Sequence, residues 1–137
     1  MADSDVRFLR LINAFSYWQG QEINNASHSF FDDIMQAQGK AQDAKGSIDG
    51  VEIWVGETGW PTAGTTYQAA VPSIEHAARF YKEGICGILA WGVNVFVFEA
   101  FDEPSKPISI GQDGSKADET HWGVWDAQRK KKYSIDC

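Results

Sequence analysis

Val51-Glu52-Ile53-Trp54-Val55-Gly56-Glu57-Thr58-Gly59-Trp60-Pro61-Thr62-Ala63-Gly64 alternates branched apolar residues with charged or aromatic ones and then reaches a carboxylate. β-Branched residues fit a pleated, packed surface, so the first half reads as a strand. Side chains two apart share a face, which puts Val51, Ile53, Val55 and Glu57 on one side. Three apolar positions followed by an acid predict a strand inside a barrel whose last inward position lies in the mouth. Gly56 and Gly59 leave the backbone free to turn on either side of Glu57. Trp60-Pro61 opens a loop, because Pro61 disfavours helix at the residue before it.

Upstream, Val6 to Trp18 opens with a near-continuous apolar run, Phe8, Leu9, Leu11, Ile12, Ala14 and Phe15, as expected of a strand buried on both faces. Asn13, Tyr17, Trp18 and Gln19 follow at its C-terminal end, where they either bind a sugar by stacking and hydrogen bonds or pack the core. Ser27 to about Ala44 reads as a helix capped by Ser27 or Ser29, with Asp32 and Asp33 early and Phe30, Phe31, Ile34 and Met35 on its apolar face. Gly39 marks a break in it, and Gly46 to Gly50 a loop. After the polar stretch Thr62–Ala70, Pro72-Ser73 starts a second helix with Ile74, Ala77, Ala78 and Tyr81 in helical spacing and Gly84 as its stop. The run Ile88–Phe101 is too long for one strand. Gly92 predicts a bend and Val93–Phe98 the strand, which ends among Glu99, Asp102 and Glu103. Pro104–Thr120 reads as a long polar loop. Strand, helix, strand, helix, strand is the rhythm of a parallel α/β sheet, and its polar-aromatic clusters fall at strand C-terminal ends, where such folds hold their sites.

The chain has 137 residues, the size of a single domain spanning 1–137. That is too short for a complete (β/α)8 TIM barrel, which needs roughly 200 residues or more. Nineteen acidic against twelve basic residues leave a net charge of −7. Nucleic acid is disfavoured as a partner, since phosphate binding needs clustered Lys and Arg. Arg129-Lys130-Lys131-Lys132 is the one basic run, read as a solvated turn. No apolar run reaches membrane-spanning length. His28 and His76 lack a second ligand at i+4, so no metal is expected; no cofactor is expected either. Asn25-Ala26-Ser27 is a glycosylation sequon.

Four stretches carry a resemblance. Gly56-Glu57-Thr58-Gly59-Trp60-Pro61 is similar to the nucleophile signature of glycoside hydrolase family 17, the β-1,3-glucanases, in its fungal cell-wall branch. Residues 13–20, Phe98–Lys106 and His121–Trp125 resemble three further blocks, in the family's order. The resemblance runs from about residue 11 to Cys137. It implies that the chain is the C-terminal part of a (β/α)8 barrel, with the three strands matching the sixth, seventh and eighth.

The chemistry implied is retaining hydrolysis of β-1,3-glucan, or transfer of the glucan to another chain, without a cofactor. Glu57 would be the nucleophile. Glu103 and Lys106 match cleft residues beside it, where Lys106 would favour ionised carboxylates; the alternative is a surface ion pair of little weight. Glu99 is an ambiguous neighbour, because one residue of register decides which acid faces the mouth. Tyr17, Trp18, Trp60 and Trp91 are candidate sugar-stacking surfaces or core residues. Retention needs a second carboxyl roughly 5 Å from the nucleophile. The family carries it in an Asn-Glu motif on the fourth strand, which this chain does not match, so a non-catalytic glucan-binding fragment is the alternative. The parent enzyme is expected to be secreted or in the cell wall. The start Met1–Asp5 has no signal-peptide apolar core. Cys86 and Cys137 either pair in an oxidising compartment or remain free thiols. Open sheet edges also predict association with a second copy.

Overall fold

The computed structural model describes residues 7–111 and 113–137. Val6, where the first strand is expected to begin, and the Met1–Asp5 start lie outside the described residues. Among the described residues a parallel sheet of three strands forms the centre: β1 (Phe8–Asn13), β2 (Val51–Thr58) and β3 (Val95–Val97), in that spatial order. A long helix, α1 (Ile23–Lys45), joins β1 to β2, and a helical segment, α2 (Ile74–Phe80), a π-helical turn at Tyr81–Ile85 and α3 (Cys86–Ala90), joins β2 to β3. A small antiparallel hairpin, β4 (Ser109–Ile110) and β5 (Lys116–Ala117), follows.

The helices depart from the expected boundaries for local reasons. α1 begins at Ile23 rather than Ser27, behind Glu22, whose side chain makes no capping bond. Asp32 and Asp33 therefore sit in its interior, away from the N-terminal dipole. Gly39 does not break it, and a side chain there would meet nothing within 4 Å, so its cost is backbone entropy alone. The helix ends at Gly46, which takes the left-handed conformation, φ 74°, and returns its N–H to the carbonyls of Gln42 and Asp43. Ser73 caps α2 by accepting from the His76 N–H at 2.9 Å. Gly84 does not stop the segment. A Cβ on it would lie 3.3 Å from the Phe80 ring and 3.5 Å from the Phe30 ring, so the missing side chain lets α1 and this segment approach. Ile88–Ala90 is helix rather than strand, and β3 is only three residues long. A short apolar run has no period that separates the two.

The two faces of the sheet are the reverse of the expected arrangement. Ile53 and Val55 are buried in one cluster with Ala26, Phe30 and Ile34 of α1 and Ala77, Phe80, Ile85 and Ile88 of the second helical segment. They face the helices, not a barrel interior. Register carries this across the sheet: Val51 pairs with Phe8, Ile53 with Arg10 and Val55 with Ile12. The opposite face carries Leu9, Leu11, Trp54 and Phe96, and it is open; Leu11 is 59% and Phe96 55% exposed. β1 is thus not buried on both faces. Only its helix side is partly covered, with Phe8 under the Lys45 ammonium.

The register slips once, and that slip places the acid. Ile12 pairs with Val55 but Asn13 pairs with Glu57, which leaves Gly56 as an extra residue; the β2–β3 pairing shifts over the same interval. Such a bulge sets two residues against one. A Cβ on Gly56 would lie 3.1 Å from Asn13 Oδ1 and 3.3 Å from Leu11 Cβ, on the open face. Glu57, level with Asn13, emerges on that face too, while Thr58 returns to the buried side. In a strand without the slip, Glu57, two residues after Val55, would continue the row of Val51, Ile53 and Val55 under the helices.

Cys86 and Cys137 are joined by a disulfide with Cα atoms 5.4 Å apart, tying the last residue to the start of α3. The bond closes a separation of 51 residues, which limits the unfolded chain by about 4 kcal/mol in the chain-entropy account. Urea unfolding of protein with both cysteines changed to serine should show a loss of that order, and an unchanged midpoint would mean that native strain cancels the effect.

Candidate active site

The C-terminal ends of β1, β2 and β3 bring Asn13, Glu57 and the segment from Phe98 to Lys106 to one end of the sheet. Gly59 makes the close passage there possible. A Cβ on it would fall 2.0 Å from the Phe98 carbonyl oxygen, and Phe98 N–H donates to the Thr58 carbonyl at 2.7 Å. The Phe98–Glu99 peptide is cis. Beyond it, Glu99 to Asp102 hydrogen-bonds alongside Trp122 to Trp125: Glu99 N–H to the Trp122 carbonyl, Val124 N–H to Glu99, Trp125 N–H to Ala100 and Asp102 N–H to Trp125. Two of the resembling blocks are therefore adjacent ribbons. At Gly123 a side chain would meet backbone at 2.2 Å, so only glycine fits.

An aromatic block supports this end. Trp122 is buried and is ringed by Phe15, Tyr17, Trp18 and Phe98 at centroid distances of 5.3 to 5.9 Å. Tyr17 and Trp60 are each only 1% exposed, so neither offers a face to a sugar. Tyr17 donates to the Thr65 carbonyl, and burial, with Asp118 and Tyr67 adding to it, pushes its phenol up to about 12. Trp60 donates to the Val71 carbonyl at 3.1 Å and packs on Tyr17 and Phe80. Both are core residues because their polar atoms find backbone acceptors inside the protein. Trp91 is 69% exposed but lies at the wrong end. It follows α3, packs edge-on against Phe31 and lines a hollow with Val51 and Val93 at the start of the strands.

Trp18 alone of the four aromatic candidates borders a cleft at the site. The cleft has a volume of about 570 Å³ and is lined by Asn13, Phe15, Trp18, Tyr67, Ile110 and Glu119, among others. The stretch read as a polar loop supplies one wall, because it folds into the β4–β5 hairpin. Gln19 also reaches the cleft, where its amide accepts from Ser29 and donates to Asp33, which leaves one N–H and one lone pair.

Charge is concentrated after β3. Lys106 Nζ lies 3.5 Å from Glu99, 3.8 Å from Glu103 and 3.9 Å from Glu119, and 4.3 Å from the centre of the Phe98 ring. Burial pushes the Glu99 carboxyl up to about 7; the neighbouring Glu103 adds to this and Lys106 works against it. Glu57 is exposed, and its carboxylate makes no side-chain hydrogen bond or ion pair among the described residues. Glu119 did not stand out in the sequence, where it sits inside an apparent loop. Its only signal is its position two residues before His121-Trp122.

Asp102 and Lys132 serve a different purpose. Their side chains are each 10% exposed and meet at 2.6 Å. Lys132 also donates to Thr62 Oγ1, and Asp102 accepts from the Gly123 N–H. Lys132 is thus no member of a solvated turn, although Arg129, Lys130 and Lys131 are exposed. Removing one partner of a buried pair leaves the other charge unmatched, at about 3–5 kcal/mol. Lys132→Met should lower thermal stability by that order, and Asp102→Asn with Lys132→Met should recover part of it; a melt showing no loss would place the pair in solvent.

Carboxylates and an aromatic cleft at the C-terminal ends of parallel strands belong to the α/β-barrel class of sugar-processing enzymes. The family model described as Glycosyl hydrolases family 17 matches residues 3–137, and the chain belongs to that family. It is 57% identical over 127 residues to a glucan 1,3-beta-glucosidase of Saccharomyces cerevisiae, covering 93% of this chain and 39% of that protein. It is 55% identical over 125 residues to a glucan 1,3-beta-glucosidase of Candida albicans, with 91% and 39% coverage. Among solved structures, the family 17 beta-1,3-glucanosyltransferase of Rhizomucor miehei superposes with a TM-score of 0.74 at 28% identity, over 94% of this chain and 43% of the other. An active-site mutant of that enzyme in complex with laminaritriose superposes with a TM-score of 0.69 at 27% identity. The chain thus spans about two-fifths of the length of the proteins it matches, and its three-stranded sheet with helices is part of a barrel.

Proposed function

We propose that residues 1–137 form one domain carrying the nucleophile strand of a retaining glycoside hydrolase that acts on β-1,3-glucan, by hydrolysis or by transfer to another glucan. The observation that carries this reading is the bulge at Gly56, which turns Glu57 out of the helix-facing row and leaves it exposed at the strand end. There its carboxylate would attack the anomeric carbon. The leaving-group oxygen takes a proton from a second carboxyl roughly 5 Å away, and water or a sugar hydroxyl later cleaves the glycosyl ester. Trp18 offers an aromatic edge to the glucan in the cleft, and Glu103 and Lys106 act on it electrostatically. The disulfide supports a secreted or wall-associated parent enzyme, because such bonds persist in oxidising compartments. The apolar residues on the open sheet face, Leu9, Leu11 and Phe96, support association through that face, with a second copy as one occupant.

A second reading is a non-catalytic glucan-binding element. It is favoured by one observation: the cleft beside Trp18 is not lined by Glu57. The two readings part on one substitution in the full-length protein. Glu57→Gln is nearly isosteric and should retain laminarin binding while lowering kcat at least a thousandfold, on the order of the loss of a catalytic group. Turnover equal to that of the unsubstituted protein would leave only the binding role.

A further inference from the structure

One ammonium serves three carboxylates after β3, and the three are not equivalent. Glu103 is more than half exposed, and Glu119 lines the cleft. Glu99 is the most enclosed, at 12% exposure, and only its Oε2 faces Lys106, at 3.5 Å. Its Oε1 is buried with no hydrogen-bond partner among the described residues. Lys106 itself is held over the Phe98 ring, the residue just before Glu99. The charged groups that act on Glu99 are Glu103 and Lys106 on its own loop, and Glu119, from the segment after the hairpin, shares the same ammonium at 3.9 Å. The ribbon from Trp122 to Val124 is hydrogen-bonded to the Glu99 backbone.

A single positive charge cannot neutralise three acids, so the acid whose ionised form is least solvated is the one that keeps a proton. We propose that Glu99 is a positioning residue for Lys106, setting whether the ammonium is held back on the Phe98 ring or presented to Glu119 and the cleft. A neutral Glu99 accepts weakly, and the ammonium turns toward Glu103 and Glu119. An ionised Glu99 forms the most enclosed of the three pairs and draws the ammonium inward. The burial that pushes the Glu99 carboxyl to about 7 places this change within the ordinary working range. Its effect on turnover rests on the glucan-active reading above, whereas the coupling of Glu99 to Lys106 does not.

The test uses the full-length enzyme containing this chain, as wild type and as Glu99→Gln, Lys106→Met and Glu57→Gln variants. Carbon-13 NMR of glutamate carboxyls should show one group titrating near pH 7 that is missing in Glu99→Gln and moves higher in Lys106→Met, where the cation no longer opposes the shift. In parallel, kcat/KM on laminarin should fall through the same pH in the wild type and not in Glu99→Gln. The ratio of the rates at pH 8 and pH 6 should then favour the variant by up to about tenfold, as follows from one protonation equilibrium centred between them. A titration that Lys106→Met does not move, or an inflection that survives in Glu99→Gln, overturns the proposal. A coupled titration together with full laminarin turnover in Glu57→Gln upholds the role of Glu99 and overturns the reading of Glu57 as nucleophile.

Discussion

A strand in an α/β sheet has one face committed to helices, and any side chain meant for the strand end must leave that row. The extra residue at Gly56 meets this constraint here. Up to Val55 the odd-numbered positions of β2 lie under α1 and the second helical segment. One residue of slip then puts Glu57 level with Asn13 on the open face and returns Thr58 to the core. Glycine suits the slip because a side chain at Gly56 would crowd Asn13 and Leu11. The position of the candidate nucleophile is therefore a property of strand register, set by the packing of Ile53 and Val55 about 7 to 13 Å of strand away.

The rest of the site is held by a structure that does no chemistry itself. Gly59 lets the Phe98 backbone cross β2 at contact distance. The ribbon from Trp122 to Trp125 then fixes the segment Glu99–Asp102 by main-chain bonds, and the Trp122 ring closes the space between Phe15, Tyr17 and Phe98. The Asp102–Lys132 pair anchors the outer edge of this ribbon, and the disulfide secures the tail that follows. Tyr17 and Trp60, which a sequence motif presents as sugar-binding aromatics, belong to this scaffold. Of the four aromatic candidates, Trp18 lines the cleft on its border.

How much of this was legible in the sequence depended on range. The βαβ rhythm could be read because Gly and Pro punctuate it locally, and the candidate residues Glu57, Glu103 and Lys106 stand out because they sit in motifs. Other features were not legible. The bulge was hidden because alternation continues smoothly through Val55 and Glu57, and only pairing with β1 reveals the slip. Gly84 looks like a helix stop, but its role is set by the Phe30 ring on a different helix. Ile88–Ala90 opens a long apolar run, and such a run has no period that separates helix from strand. Glu119 and Lys132 acquire their meaning only from partners 13 and 30 residues away in sequence, Lys106 and Asp102.

The two faces of the sheet also divide the work of stability and function. The helix-side cluster is complete within the described residues, with Phe30, Ile34, Val55, Phe80 and Ile88 excluded from solvent. The other face shows Leu9, Leu11 and Phe96 to water, and in a barrel this is the face that turns inward. Covering it removes water from the row that ends at Asn13 and Glu57. Desolvation there strengthens every charge interaction at the strand ends, because Coulomb terms grow as the local dielectric falls. The same cover that stabilises the sheet would thus sharpen the difference between a neutral and an ionised Glu99, and with it the hold on Lys106.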